Sequence, residues 1–398
     1  MKILHIIPTM NPLTGGPCEA IINISAELHR INIKNEVLCL DDKTESYIKD
    51  KPFTIHAIGK SKGPWQYNKH LRDWLETNLS KYDKIILHTL WTYQGFALHL
   101  AIKNIKRKSK APIPIYFIMP HGMLDPYFQK AKERKLKAIR NVIYWYFIEK
   151  KVVNNAKAIL FTCEVEKILA RKSFKQYFPK SEINVGYGIN NPPQQLESFK
   201  EAITERLPEN FRIEPYILFI SRIHPKKGLD ILIEAYENLL EINVSTKIPN
   251  LIIAGPGIDT EYGNTILRRI NSNQKLQNKV HFTGMLTGDS KWGAFYGCEA
   301  FVLPSHQENF GIAIVEALGC GKPVLISNQV NIYKEIEIQN AGLIEDDTLL
   351  GTENLLKRWF NLSFNQKEEI SVNAIHCFNS HFRIEVTVQN LLNILYTN

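Results

Sequence analysis

The residues best suited to chemistry in this 398-residue chain sit in short polar breaks between apolar runs. Pro304–Val324, PSHQENFGIAIVEALGCGKPV, is the densest of them. The apolar run Ala300–Leu303 stops at Pro304, as a buried strand does when it ends. A polar loop then carries Glu308 and Gly311, and the apolar-periodic segment Ile312–Leu318 contains Glu316. Gly319–Gly321 and Pro323 close that segment before the next apolar run, Val324–Ile326. The reading is strand, loop, helix, strand, with one carboxylate at the strand's carboxyl end and a second on the helix. Each carboxylate oxygen accepts hydrogen bonds, so the pair suits vicinal hydroxyls of a sugar or a ribose. Asn309, Phe310 and Gly311 would offer backbone N–H donors beside Glu308. Two glutamates at an arbitrary spacing would instead be a loop charge and an exposed helix residue.

Other breaks carry complementary chemistry. The buried run Tyr216–Ile220 leads into Ser221-Arg222-Ile223-His224-Pro225-Lys226-Lys227-Gly228 and then a helix over Leu229–Glu241. Arg222 offers a fork of donors, a lysine a movable point charge, and the helix end its free N–H groups, a set that can bind a diphosphate. Either Lys226 or Lys227 could fill the lysine role. Thr14-Gly15-Gly16-Pro17 separates a first strand, Lys2–Pro8, from a helix over Glu19–His29. Glycines there allow close backbone approach to an anionic or sugar ligand, or make an ordinary turn. His121, one of twelve histidines, follows the apolar run Ile113–Met119 within Pro120-His121-Gly122-Met123. A neutral imidazole would hydrogen-bond a sugar hydroxyl; a protonated one would stabilise phosphate charge.

The elements that must position these breaks alternate. Further strands are expected at Glu36–Leu40, Phe53–Ile58, Lys84–Leu90, Ala156–Thr162 and Glu182–Gly188, with helices near Trp65–Leu79 and Gly95–Lys106. Alternation of this kind implies βαβ units and parallel sheets, with ligands at the carboxyl ends of the strands. The length suits two domains, residues 1–190 and 196–379, joined at 190–196 by Asn190-Asn191-Pro192-Pro193-Gln194-Gln195.

Composition narrows the setting. The six cysteines are scattered without metal-ligand spacing, which points to a reducing cytoplasm. The N-terminus reads as a strand rather than a signal peptide, and no apolar run is long enough to cross a bilayer. Asp41-Asp42 and Asp346-Asp347 lack the spacing of a metal-holding Asp-x-Asp pair and read as turns. Residues 1–195 hold 31 Lys/Arg against 16 Asp/Glu, while the remainder is mildly acidic. The basic excess continues through Lys103–Lys110 and peaks in Tyr127–Lys151, read as one helix. There Lys130, Lys132, Arg134, Lys135, Lys137, Arg140, Lys150 and Lys151 accompany Ile143, Tyr144, Trp145, Tyr146, Phe147 and Ile148. Such a helix can lie on anionic headgroups at the inner face of the cell membrane, face an acidic acceptor, or pack its aromatic half into a core. Nucleic acid is not expected, because no nucleic-acid-binding module is present.

Taken together these stretches resemble the retaining glycosyltransferases of family 4. The resemblance rests on Glu308 and Glu316 as a Glu-x7-Glu signature, on Ser221-Arg222-Ile223 with Lys227-Gly228, on Leu251–Gly257 ending Gly255-Pro256-Gly257, and on Phe282–Ser305. It implies the GT-B fold, two Rossmann-like doubly wound domains facing each other across a cleft, with the last helix, about 380–398, crossing back onto the first domain. It implies transfer of a sugar from a UDP- or GDP-type nucleotide to a glycan hydroxyl with retention, without metal or other cofactor. The acceptor is expected to be a lipid-linked glycan of surface polysaccharide synthesis. By the same resemblance Arg222 and Lys227 stabilise the leaving diphosphate, Glu316 holds the ribose, and Glu308 with Asn309, Phe310 and Gly311 holds the sugar. Gly15 and Gly16 face the donor phosphate, Gly255 closes its strand, Met285 and Leu286 flank the base, and His121 reaches the sugar. Tyr187 stands where the family has Asn, and Asn309 where it commonly has Gly. A binding protein that has lost turnover, or a basic membrane-surface scaffold, are the competing readings.

Overall fold

The computed structural model describes every residue except 109–111, 131–133, 209–210, 212–214, 243–247 and 398. Lys110, Lys132 and Asn398 therefore lie outside the described residues. The chain forms two units, Met1–Gly188 with Ile384–Asn398, and Ile189–Arg383.

The first unit is built on seven strands: β1 (Lys2–Ile6), β2 (Lys34–Cys39), β3 (Thr54–Ala57), β4 (Lys84–Leu87), β5 (Ile115–Ile118), β6 (Ile159–Phe161) and β7 (Glu182–Asn184). They pair in parallel in the order β3-β2-β1-β4-β5-β6-β7. The inner strands are apolar on both faces because helices cover both. Alternation sorts them: Leu4 and Ile6 join a cluster with Leu87, Ile118 and Trp145, while Ile3 joins Phe117 and Leu160 on the other face. The C-terminal helix, Ile384–Thr397, completes that second face through Val388, Leu391 and Leu395.

The second unit repeats the plan with β8 (Tyr216–Ile220), β9 (Asn250–Ala254), β10 (Val280–Gly284), β11 (Ala300–Leu303), β12 (Val324–Ser327) and β13 (Gly342–Glu345). The order is β10-β9-β8-β11-β12-β13, again parallel. In each unit the chain reverses direction across the sheet once, between β1 and β4 and between β8 and β11. At such a switch point the loops diverge and leave a crevice at the strands' carboxyl ends.

Several elements depart from the sequence-based expectation. The helix expected over Trp65–Leu79 is confined to Leu71–Asn78, since Gln66 turns at positive φ and Lys62 pairs with Tyr67. Several strands are shorter than expected: β1 ends at Ile6, β3 spans only Thr54–Ala57, β4 ends before His88, β6 is confined to Ile159–Phe161, and β7 ends at Asn184, two residues before Gly186 at positive φ. The last helix begins at Ile384, because Phe378–Phe382 form a π-helical turn in the second unit and Arg383 is extended. The basic helix is divided: among the described residues Tyr127–Lys130, Lys135–Tyr144 and Lys150–Asn155 are α-helical, with a π-helical turn over Trp145–Glu149. That wider turn directs both Trp145 and Glu149 inward, each fully buried, and Trp145 Nε1 donates to the Lys175 carbonyl at 2.7 Å.

Candidate active site

The second unit's crevice is assembled by close backbone contact. Gly228 has φ +67 and packs so tightly on the end of β11 that a Cβ would run into the Pro304 carbonyl oxygen. This contact brings the loop after β8 against the loop after β11, and it explains a glycine next to Lys227. Gly255, at φ +136, is pressed against the Ser221 carbonyl in the same way, which fixes the backbone just before Arg222.

Glu308 is held rigidly. Its N–H donates to the Gln329 carbonyl at 3.0 Å, and its own carbonyl accepts from Asn331 N–H at 2.9 Å. Its carboxylate pairs with the Lys227 ammonium, both side chains being largely buried. Lys227 is the lysine of this loop whose ammonium meets Glu308. Arg222 in the same loop is exposed, and among the described residues no acid pairs with it. Asn309 Oδ1 accepts from Asn331 Nδ2 at 3.3 Å, and the buried Phe310 ring meets Phe382 edge-on. Gly311, at φ +80, opens the helix Ile312–Gly319, whose first turn has no side-chain cap and no acid. Its N-terminal N–H groups thus form a cationic end beside Glu308.

Glu316 lies in the second turn of that helix and is buried. It accepts from Lys291 Nζ at 2.7 Å, and the same ammonium lies 4.3 Å from the centre of the Trp292 ring. Sequence reasoning missed Lys291; an acid and a base 25 residues apart on different helices leave no local signal. Of the expected base-flanking pair, Met285 is exposed and Leu286 is buried in the core. The adjacent acid pairs are occupied locally. Asp41 accepts from Thr9, Met10 N–H and Tyr47, Asp42 from Thr44, Asp346 from Asn328, and Asp347 meets His306.

In the first unit Gly15, at φ +92, caps the helix Gly16–Arg30 without a side-chain bond, and both glycines face open space. Tyr187 is buried and its hydroxyl donates to the Gly16 carbonyl at 3.0 Å, so this residue braces the glycine loop. His121 follows β5 at φ +49, a strained angle held in place where Gly122 N–H donates to the buried Glu166 carboxylate. Burial lowers the His121 imidazole to about 4, so at neutral pH it is uncharged and suited to hydrogen bonding rather than charge neutralisation.

Comparison with known proteins decides the family. Residues 203–358 match the family model "Glycosyl transferases group 1". The second unit is a group 1 glycosyltransferase domain. An uncharacterized glycosyltransferase of Methanocaldococcus jannaschii is 28% identical over 214 residues, 50% of this chain and 52% of that protein. The chain thus spans about half the length of that curated relative. The O-antigen chain mannosyltransferase C of Escherichia coli is 26% identical over 91% of this chain and 89% of its own. Anabaena HepE, solved in complex with UDP, superposes with a TM-score of 0.74 at 16% identity, over 100% of both chains. That likeness shows the fold, which is GT-B: two Rossmann-like α/β units. Arg222, Lys227, Glu308 and Glu316 all lie within the matched stretch, as does Lys291, the partner of Glu316.

Proposed function

We propose that the chain is a retaining glycosyltransferase. It moves a sugar from a UDP- or GDP-linked donor to a hydroxyl of a lipid-linked glycan in surface polysaccharide synthesis. The observation that carries this reading is the Lys227–Glu308 pair at a Rossmann switch point, with the exposed Arg222 guanidinium in the same loop. An incoming diphosphate competes with Glu308 for the Lys227 ammonium. The carboxylate it releases is then free to accept from the hydroxyls of the sugar, beside the N–H groups of Phe310 and Gly311. As the bond from the anomeric carbon to the diphosphate oxygen breaks, Arg222 and Lys227 stabilise the charge gathering on the leaving group. The acceptor oxygen attacks from the same face, and its proton passes to the departing phosphate oxygen. Glu316, steadied by Lys291, holds the ribose, and His121 hydrogen-bonds the sugar. No metal enters the scheme.

The acceptor side is supported by a different feature. Leu136, Ile139, Ile143 and Phe147 project along one stripe of the basic segment and are exposed. They line a groove of about 750 Å³ together with Trp65 and Tyr67. Lys135 precedes these apolar residues in sequence, and Lys137 and Arg140 lie between them, the pattern of a helix that rests on an anionic lipid surface. Among the described residues no helix is long and apolar enough to cross a membrane.

The purified protein is offered UDP- and GDP-sugars and release or transfer of the sugar is followed. Turnover that survives a chelator and is lost in Glu308→Ala supports the proposal, and the anomeric proton of the product reports retention. Nucleotide-sugar binding without turnover would instead identify a binding protein.

A further inference from the structure

Three histidines far apart in sequence form a chain in the first unit. His5 lies inside β1, His88 just beyond β4 and His121 just beyond β5, and these strands are neighbours in the sheet. His5 Nδ1 is 2.9 Å from His88 Nε2, and His88 Nδ1 is 2.9 Å from His121 Nε2. The rings follow one another at 5.2 Å between centroids in both steps. His5 and His88 are almost fully buried and His121 is half-buried, so the chain runs from the core to the crevice end of the sheet. The nitrogens meet in series rather than around a point, and among the described residues no cluster could hold a metal ion.

Each nitrogen–nitrogen contact needs one proton between its two atoms. Three neutral imidazoles carry three protons for two contacts, so the third proton sits at one end of the chain. If it sits at the inner end, His5 Nε2–H is a donor with no acceptor, since that buried atom has no partner among the described residues. If it sits at the outer end, His5 Nε2 is only a bare lone pair, and every N–H of the chain is satisfied or lies on the half-buried outer ring. An unmet buried donor is the costlier defect. The outer arrangement requires the Nδ1–H form at all three rings, the minority form of free histidine. Burial holds all three below their ordinary 6.5 and so keeps them neutral, as the chain demands.

We propose that His5 and His88 are positioning residues that fix His121 as a neutral Nδ1–H donor toward the bound substrate. This rests on the reading of His121 given under Proposed function. It excludes a general-base role for His121: its outward nitrogen donates to a sugar oxygen and removes no proton.

The test is long-range ¹H–¹⁵N correlation of the full chain labelled with ¹⁵N-histidine, the His121 signals being assigned by their loss in His121→Asn. The expected result is the Nδ1–H form at His121, unchanged from pH 5 to 8. An Nε2–H or charged His121 in the folded wild-type protein overturns the proposal, and that measurement depends on no variant of the inner histidines. His88→Gln is expected to lower kcat about tenfold with little change in the donor KM, the scale of outer-partner effects on an oriented histidine. A lower melting temperature with kcat untouched would mean a purely structural network and also overturns it. An Nδ1–H His121 whose replacement leaves turnover intact removes the functional reading while the proton arrangement stands.

Discussion

The two switch points have the same strand order and opposite chemistry. In the second unit the crevice is charged: Lys227 meets Glu308, Lys291 meets Glu316, and Arg222 stands open. In the first the carboxylates of Asp41 and Glu166 are taken up by local donors, and what is left is uncharged: a glycine loop braced by Tyr187 and a line of neutral imidazoles. A Rossmann-like sheet fixes where a ligand is met, and the side chains on its loops decide which part of the ligand is met. Ion pairs that a diphosphate can displace suit the end of a donor where charge develops. Neutral hydrogen-bond donors suit hydroxyls, which gain nothing from a fixed charge.

The sharpest way to break this contrast is to remove the charge from the second crevice. Lys227→Ala and Glu308→Gln are each expected to lower kcat/KM by about 10²- to 10³-fold, the scale seen when a single preorganised electrostatic contact to a developing charge is lost. The double variant should be little worse than either single one, because the two side chains act as a unit. Steady-state kinetics on the three proteins checks this. Strictly multiplicative losses would mean that the two groups serve different parts of the donor.

The same contrast explains what the sequence made legible. Arg222, Lys227, Glu308 and Glu316 stand in two short windows bounded by Gly228, Pro304 and Gly311, and charges beside such punctuation are visible without a fold. The alternation of apolar runs likewise announced two parallel sheets. The histidine chain was not legible, because residues 5, 88 and 121 meet only through the order β1-β4-β5, which no local pattern encodes. The π-helical turn at Trp145–Glu149 escaped for a related reason. The apolar pattern around it reads as uninterrupted helix, and only the need to bury both Trp145 and Glu149 widens it. Tyr187 looked like a departure at a ligand position, and it is a buried brace whose role depends on the distant Gly16 carbonyl.

A smaller effect, on stability rather than turnover, separates the units by pH. Burial lowers His5 to about 3 and His121 to about 4, from an ordinary 6.5. The unfolded chain therefore binds protons below 6.5 that the folded chain refuses, and this stability is lost as pH falls from 6.5 toward 4. Burial raises Glu149 in the same unit from 4.5 to about 8, since among the described residues Trp91 N–H is its one hydrogen-bond donor and Oε1 has no partner. Here the folded chain keeps a proton that the unfolded chain gives up, so stability present below 4.5 is lost as pH rises through 8. Calorimetry should show the first unit melting highest between these limits. Glu149→Gln should abolish the alkaline decline while leaving the acid one.

The smallest expected effect tests the neutral crevice itself. Tyr187→Phe keeps the buried ring and removes only the hydroxyl that donates to the Gly16 carbonyl. The carbonyl belongs to the first turn of an α-helix and already accepts within it, so the loss is that of one ordinary hydrogen bond, about 1 kcal/mol. Unfolding of the first unit should shift by a few degrees at most. If the glycine loop meets the donor, the variant also raises the donor KM by a small factor with kcat unchanged, because a looser loop weakens binding of ground state and transition state alike. A change in kcat at constant KM would instead tie the brace to the chemical step. It would then place the glycine loop with the charged crevice rather than with the neutral one.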